Sequence, residues 1–210
     1  IPQFHNGALR IDALEKAVRE DKQNRVEATQ PEIEFCQTNR GIVQIFADAQ
    51  AKGELPQRIT HNDTKIDNVL LDQETDEVMC IVDLDTVMPG LIHYDFGDMV
   101  RTLTSPADED ERDLDKVTMR MDFFDALAKG YLSEANDFLS EAEKGYLAQA
   151  GKVITFQLGV RFLTDHLNGD TYFRVHREGQ NLDRARVQFK LVERMLENEE
   201  AMKATIAALG

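Results

Sequence analysis

Between two stretches of helical periodicity lies one segment of different character, RITHNDTKIDNVLLDQETDEVMCIVDLDTV, and it restricts the fold more than any other part of the chain. Its two short apolar runs, Val69 to Leu71 and Val78 to Val82, are separated by polar turn residues, which reads as a β-hairpin. On the N-terminal side, Ile11, Leu14, Ala17 and Val18 fall at helical spacing, and a second helix is expected to follow Pro31 from Glu32 to Ala51, with Gly53 as its stop. After Pro89-Gly90 the pattern returns to helices, expected at 94–104, 110–130, 134–149, 152–168 and 182–207, with breaks near Ser105-Pro106 and Gly169-Asp170. The chain is therefore expected to be mainly α with a short β-hairpin, the polar ends of the hairpin being displayed by a helical scaffold. Loops held in that way are where reactive groups usually sit.

Composition narrows the classes of partner. A formal net charge of −15 over 210 residues repels nucleic acid phosphates and anionic lipid headgroups, so any anionic ligand must be met by local basic groups or metal ions. Cys36 and Cys80 lie in the apolar stretches EFCQ and VMCIV, look like core positions, and fit a reducing cytosol as two buried thiols. No apolar run approaches a membrane span and no signal peptide stands at the start, so a soluble, cytoplasmic protein without membrane or nucleic acid partners is expected. The chain opens at Ile1 rather than Met, from which an upstream segment is expected.

The residues that carry chemistry flank the hairpin. His61-Asn62-Asp63-Thr64-Lys65-Ile66-Asp67-Asn68 precedes the first strand, and Asp83 ends the second, in the run Ile81-Val82-Asp83-Leu84-Asp85. A short antiparallel pair brings these ends to one side, so three oxygen-bearing side chains can converge. Phosphoryl transfer needs such a set, because the protein must orient a hydroxyl and neutralise charge on a triphosphate. Asp63 would orient and deprotonate the hydroxyl; Asn68 and Asp83 would supply hard oxygen ligands for Mg²⁺. Taken singly, Asp-x4-Asn reads equally as a helix or turn cap, and Asp83 as a strand end; the order of all three around the hairpin is what points to chemistry. His61 is assigned to holding the loop. Asp95-Phe96-Gly97 spells a kinase metal-binding tripeptide but follows the Pro-Gly turn at an expected helix start, so Asp95 is read as a helix cap or a tie to the loop carrying Asp63.

At these positions the chain resembles the aminoglycoside phosphotransferase and choline kinase group of protein-kinase-like folds, whose pattern is H-G-D-x4-N followed by I-D-x-[DE]. Here the residues read H-N-D-T-K-I-D-N and then V-D-L-D. D-L-D-T-V-M-P-G-L-I-H-Y-D-F-G-D and R-F-L-T-D-H-L-N-G-D-T-Y-F are further similar to the N-acetylhexosamine 1-kinases, which phosphorylate the anomeric hydroxyl of GlcNAc or GalNAc with ATP. The resemblance implies Asp63 as catalytic base, Asn68 and Asp83 as magnesium ligands, and Asp85 beside the substrate pocket. It also directs attention to Arg161, Asp165 and Tyr172, which can converge on a sugar; Arg161 and Tyr172 are the chosen substrate contacts, with Arg177 and Asn181 weaker candidates. The bland alternatives are an exposed Arg161–Asp165 ion pair and a half-buried core tyrosine. The departure is Asn62 where the group usually has Gly: a side chain there narrows the allowed backbone, though Asn tolerates left-handed conformations better than most residues.

The same resemblance implies the C-terminal lobe of an α+β kinase-like fold. Residues 1–57 would be supporting helices, 58–90 the catalytic loop and metal-binding hairpin, and 91–210 a helical substrate-binding part. No Gly-rich phosphate-covering loop and no strand lysine paired with a helix glutamate is found, so the N-terminal lobe is expected outside this sequence, as its partner. Expected ligands are ATP, Mg²⁺ and a small-molecule alcohol, sugar first, with aminoglycosides, choline and homoserine as alternatives. Two rivals differ in class: a metal-dependent phosphatase releases phosphate without an acceptor, and a catalytically impaired binding module is indifferent to loss of Asp63.

Overall fold

The computed structural model describes residues 1–210. Its centre is a 28-residue helix, Glu141–Asn168, buried on nearly every side. Ser140 opens it with a capping box, its side chain taking the Glu143 N–H while the Glu143 carboxylate takes the Ser140 N–H, and Gly169 at φ 98° closes it. In chain order the helices are α1 (Gly7–Glu20), α2 (Gln30–Thr38), α3 (Ile45–Ala51), α4 (Ile92–Leu103), α5 (Met121–Ala135), α6 (the central helix), α7 (Gln180–Glu197) and α8 (Glu199–Leu209). α6 packs against α1, α4, α7 and α8, and its Leu147, Val153, Phe156, Val160, Leu163 and Leu167 join one continuous core. That all-round contact explains why α6 is buried on nearly every face, with polar residues such as Glu143, Lys152 and Asp165 enclosed among the apolar ones. No helix is long and apolar enough to cross a membrane.

The expected helix boundaries need correction in four places. The stretch expected as one helix from Glu32 to Ala51 is α2, a 3₁₀ segment Arg40–Gln44, and α3. Residues expected as helix from 110 form a loop with a short 3₁₀ turn at Leu114–Lys116, and α5 starts only at Met121. Conversely, the expected break near 150 does not exist. Gly151 is a close-approach position: a Cβ there would stand 2.7 Å from Val100 Cγ1, so the glycine lets α4 lie against α6 rather than ending a helix. The last expected helix is divided at Asn198 into α7 and α8.

The hairpin forms from β2 (Val69–Leu71) and β3 (Val78–Ile81), antiparallel, with Val69 opposite Ile81. A second antiparallel pair, unexpected from sequence, joins β1 (Arg58–Thr60) to β4 (Met88–Gly90) and so fixes the roots of the whole 58–90 segment. Cys80 corrects another expectation: Cys36 is buried, but Cys80 is exposed, because the hairpin stands off the helical body with Val78, Met79 and Ile81 also exposed. Both cysteines are free.

Candidate active site

The loop between β1 and β2 is held from below by Asp95 in the first turn of α4. Its two carboxylate oxygens accept the main-chain N–H groups of His61 (2.9 Å) and Asn62 (2.6 Å), and its carbonyl accepts the Thr64 hydroxyl at 2.6 Å. Leu91, not Asp95, is the N-cap of α4, so of the two expected roles the structure shows the tie to the loop. Burial pushes the Asp95 carboxyl upward, partly offset by the two loop amides that favour its charge. Asn62 adopts φ 66°, in the left-handed region that its usual glycine counterpart would enter freely. Its carboxamide donates to the carbonyls of Thr60 (3.1 Å) and Thr86 (3.0 Å), stapling β1 to the turn before β4. Space for that side chain comes from Gly90 opposite, where a Cβ would meet Asn62 Oδ1 at 2.8 Å. The loss of glycine at one position is thus accommodated by glycine at another.

On this loop Asn68 is tied to Asp63 by its side chain and to the residue before Asp83 by its main chain, while Asp83 itself is exposed. The Asn68 carboxamide nitrogen donates to the Asp63 carbonyl (2.8 Å) and to Asp63 Oδ2 (3.0 Å). Its main-chain carbonyl accepts the N–H of Val82, the residue before Asp83, at 2.9 Å. Asn68 is buried, while Asp83 stands at the end of β3 with φ 62°, a strained setting for a non-glycine residue. His61 links the same two strands, one ring nitrogen 3.1 Å from the Val82 carbonyl and the other accepting the Asp63 N–H at 3.3 Å. Asp85 is exposed on the 3₁₀ turn Leu84–Thr86 and is not among the residues lining the cavity at Asp63.

Lys65, which has no role in the motif as read from sequence, bonds Asp63 Oδ2 at 2.9 Å. Burial pulls its ammonium pKa down, but the bond to Asp63 and the charges of Asp63, Asp83 and Asp98 outweigh that and leave it above its ordinary value. A cation already rests among these carboxylates. No group of three His, Cys, Asp or Glu side chains forms a closed metal cage. One amide oxygen and one or two carboxylates is nonetheless the donor set that Mg²⁺ takes when substrate phosphates and water complete its shell. The residues present fit that ion.

Beside Asp63 opens a cavity of about 100 Å³ whose walls include His5, Asn62, Asp98, Gln157 and Arg161. Arg161 also lines a second cavity of about 220 Å³, with Arg10, Asn168 and Tyr172. Its guanidinium donates to the Tyr172 hydroxyl (3.4 Å) and lies 5.5 Å from the Tyr172 ring centre and 5.1 Å from that of Phe173. Burial, then the neighbouring charge of Arg10, depresses the Arg161 pKa. His5 stacks on Tyr94 at 3.9 Å and is pushed down to about 4 by burial and then by Arg161, so it is neutral at pH 7.

Both bland alternatives for Arg161 and Tyr172 fail: Tyr172 is 73% exposed, and Arg161 makes no ion pair with Asp165. Asp165 is 5% exposed and accepts the N–H groups of Thr171, Tyr172 and Phe173. Arg177 is tied to Asp110 and Asp183, and Asn181 is buried against Asp165 and Asp170, so neither weaker candidate reaches the cavity walls. His5 and Arg10 escape a reading of the sequence because their neighbours Tyr94 and Arg161 come from distant parts of the chain. Only Lys65, inside the H-N-D-T-K-I-D-N run, offers a local signal.

The sequence model of the phosphotransferase enzyme family matches residues 1–139. The matched span contains Asp63, Asn68, Asp83, Asp85 and Asp95 and ends before Arg161 and Tyr172.

Proposed function

The chain belongs to the phosphotransferase enzyme family, and from that premise we propose that it supplies the catalytic lobe of a small-molecule kinase that phosphorylates an uncharged sugar, N-acetylhexosamine at its anomeric hydroxyl first. The observation that carries the reading is the pair of hydrogen bonds that the Asn68 carboxamide donates to Asp63, which fixes the base and a hard oxygen donor on one loop. In the reaction the acceptor hydroxyl gives its proton to the Asp63 carboxylate as its oxygen bonds to the γ-phosphorus of ATP; the bond to the β–γ bridging oxygen breaks and ADP leaves. Asn68 and Asp83 would hold Mg²⁺, which neutralises charge on the phosphates when bound. Asp95 and His61 keep the Asp63 loop in register. Arg161 and Tyr172 would receive the acceptor, with Asp85 a more distant contributor.

Charge favours a sugar over the other acceptors of the family. Arg10 is tied to the Phe4 carbonyl and Arg161 to the Tyr172 hydroxyl, so two guanidinium groups without carboxylate partners face the acceptor side, beside a neutral His5. A cation such as choline or an aminoglycoside is opposed by both, and Asp98, on the cavity wall shared with Arg161, is already paired with Arg101. The exposed apolar residues of the hairpin, with Met79 at 68% and Val78 at 66%, support a nucleotide-covering N-terminal lobe outside these residues, and a cytosolic setting supplies ATP. The test is a screen of the enzyme with ATP and Mg²⁺ against N-acetylhexosamines, hexoses, choline and aminoglycosides, together with Asp63→Asn. Transfer to an N-acetylhexosamine, abolished by D63N, is the expected result. Transfer to choline alone would move the substrate within the family; phosphate release without acceptor, or binding indifferent to D63N, would replace the reading with a hydrolase or an impaired binding module.

A further inference from the structure

Asp165 lines the same cavity as Arg161 and Tyr172, which makes it look like a third sugar contact. Its hydrogen bonds say otherwise. Oδ1 accepts the N–H groups of Thr171 (2.9 Å) and Tyr172 (2.8 Å), and Oδ2 accepts the N–H of Phe173 (2.9 Å) and the carboxamide of Asn181 (2.9 Å). A carboxylate has about four lone-pair positions, so Asp165 has none left for a ligand hydroxyl. Instead it gathers three consecutive amides of the turn after α6, which otherwise have no partner in a helix or sheet.

The turn is fixed again one residue earlier. Asp170, at φ 59°, bonds Arg25 at 2.6 Å and takes a second hydrogen bond from Asn181 at 3.0 Å; Arg25 also donates to the His166 carbonyl at 2.6 Å. Phe173 anchors the far end, its ring 4.6 Å from that of Phe162. Between these anchors Tyr172 projects outward with only Arg161 to hold its hydroxyl. An exposed aromatic ring has many accessible directions, and the main chain beneath it is what selects one.

We propose that Asp165 is a positioning residue, which sets the acceptor-binding direction of Tyr172 by binding the amides of residues 171–173 and never touches the acceptor. The inference rests on the reading of Tyr172 as an acceptor contact. Two measurements separate it from a general structural role. Hydrogen exchange of the Asp165→Asn protein should show the three turn amides exchanging at least about tenfold faster, with the interior of α6 unchanged, since one oxygen remains where two were needed. Steady-state kinetics with GlcNAc should show D165N and Tyr172→Ala each raising the acceptor KM about tenfold, with kcat and the KM for ATP within about twofold, and the double variant no worse than Y172A alone. Effects that multiply in the double variant, or turn amides that exchange as in the wild type, would overturn the proposal. Asn181→Ala, which removes one of the four donors, is the milder variant should D165N unfold, and it should show the same lack of additivity. A wild-type enzyme that phosphorylates no acceptor defeats the functional reading and the acceptor half of this one, while the exchange result still decides whether Asp165 fixes the turn.

Discussion

Replacing Asp95 with asparagine tests how the loop carrying Asp63 is held. In the wild type two loop amides, at 2.9 and 2.6 Å, share the two oxygens of one carboxylate. The carboxamide of Asp95→Asn retains one oxygen and turns an NH₂ group toward the other amide, so one charge-assisted bond of about 1.5–3 kcal/mol is lost and one enclosed N–H is left unmet at about 1–3 kcal/mol. Opposing this, burial raises the Asp95 carboxyl pKa, so the folded protein bears a cost for keeping the charge, and the neutral side chain relieves it. The net expectation is a loss of about 2 kcal/mol, or about 4–8 °C in Tm for a chain of this size. Urea unfolding at pH 7, followed by circular dichroism, measures the first quantity, with an unchanged m value. The rate should fall about 100-fold, because Asn62 at φ 66° lies directly before Asp63 and a shift of about 1 Å at the base costs that much. Were Asp95 a metal ligand instead, the variant would keep its stability and need more Mg²⁺. Stability within about 0.5 kcal/mol of wild type, coupled with a changed Mg²⁺ requirement, would refute the tie.

Other outcomes follow from the same geometry. Glu143, 1% exposed, takes two hydrogen bonds from Arg58 and one from the Ser140 N–H, and these hold its carboxyl at about 2, well below the usual carboxylate range. A depressed folded pKa contributes stability that is complete above the unfolded value near 4.5 and is lost as pH falls toward 2. Glu143→Gln should therefore lower stability by about 2–3 kcal/mol at pH 7 and flatten the acid limb of a denaturation series; an unchanged limb would count against the pair. Asn62→Ala should destabilise more than Asn62→Gly, by about 1 kcal/mol, since both lose the staple to Thr60 and Thr86 but only glycine is at ease at positive φ. Equal losses in thermal melts would show that the backbone at 62 is not under that demand.

The hairpin is legible in the sequence because strand alternation and turn residues are local, and the pairing of Val69 with Ile81 brings the chain before Asn68 and after Val82 to one end of it. β1 and β4 are not, because three-residue strands carry too little pattern; they exist through contacts across 28 residues such as Thr60 with the Met88 carbonyl. Cys80 misleads for a related reason: VMCIV is apolar enough for a core, but apolarity does not say whether anything lies against the hairpin. The expected gap between helices at 149 and 152 is closed at Gly151, because sequence cannot distinguish a terminating glycine from one that admits a neighbour. Arg161 and Tyr172, which line one cavity, are singled out in the sequence through resemblance, whereas the engagement of Asp165 depends on the backbone path of a turn and has no signature in residue spacing.

Net charge, too, is a poor guide to the site. A chain at −15 looks suited to cationic acceptors, yet the cavity beside Asp63 is walled by Arg101 and Arg161 as well as by Asp98. Lys65 bonds Asp63 and feels the charges of Asp83 and Asp98, Asp98 is paired with Arg101, and Arg161 and neutral His5 share the cavity wall beside Asp63 with no carboxylate bonded to them. An ammonium group brought to about 4 Å from the Arg161 guanidinium is opposed by about 4 kcal/mol at the effective dielectric of a partly buried site, enough in principle for discrimination of about 10³. Solvent and movement reduce that, so kcat/KM for GlcNAc is expected to exceed that for choline or kanamycin by at least about 100-fold. Arg161→Gln removes the repulsion and should narrow the gap by raising the cationic acceptors in relative terms while lowering the sugar. A wild-type preference for the cations, or an R161Q enzyme with the ratio unaltered, would mean that the guanidinium does not face the acceptor.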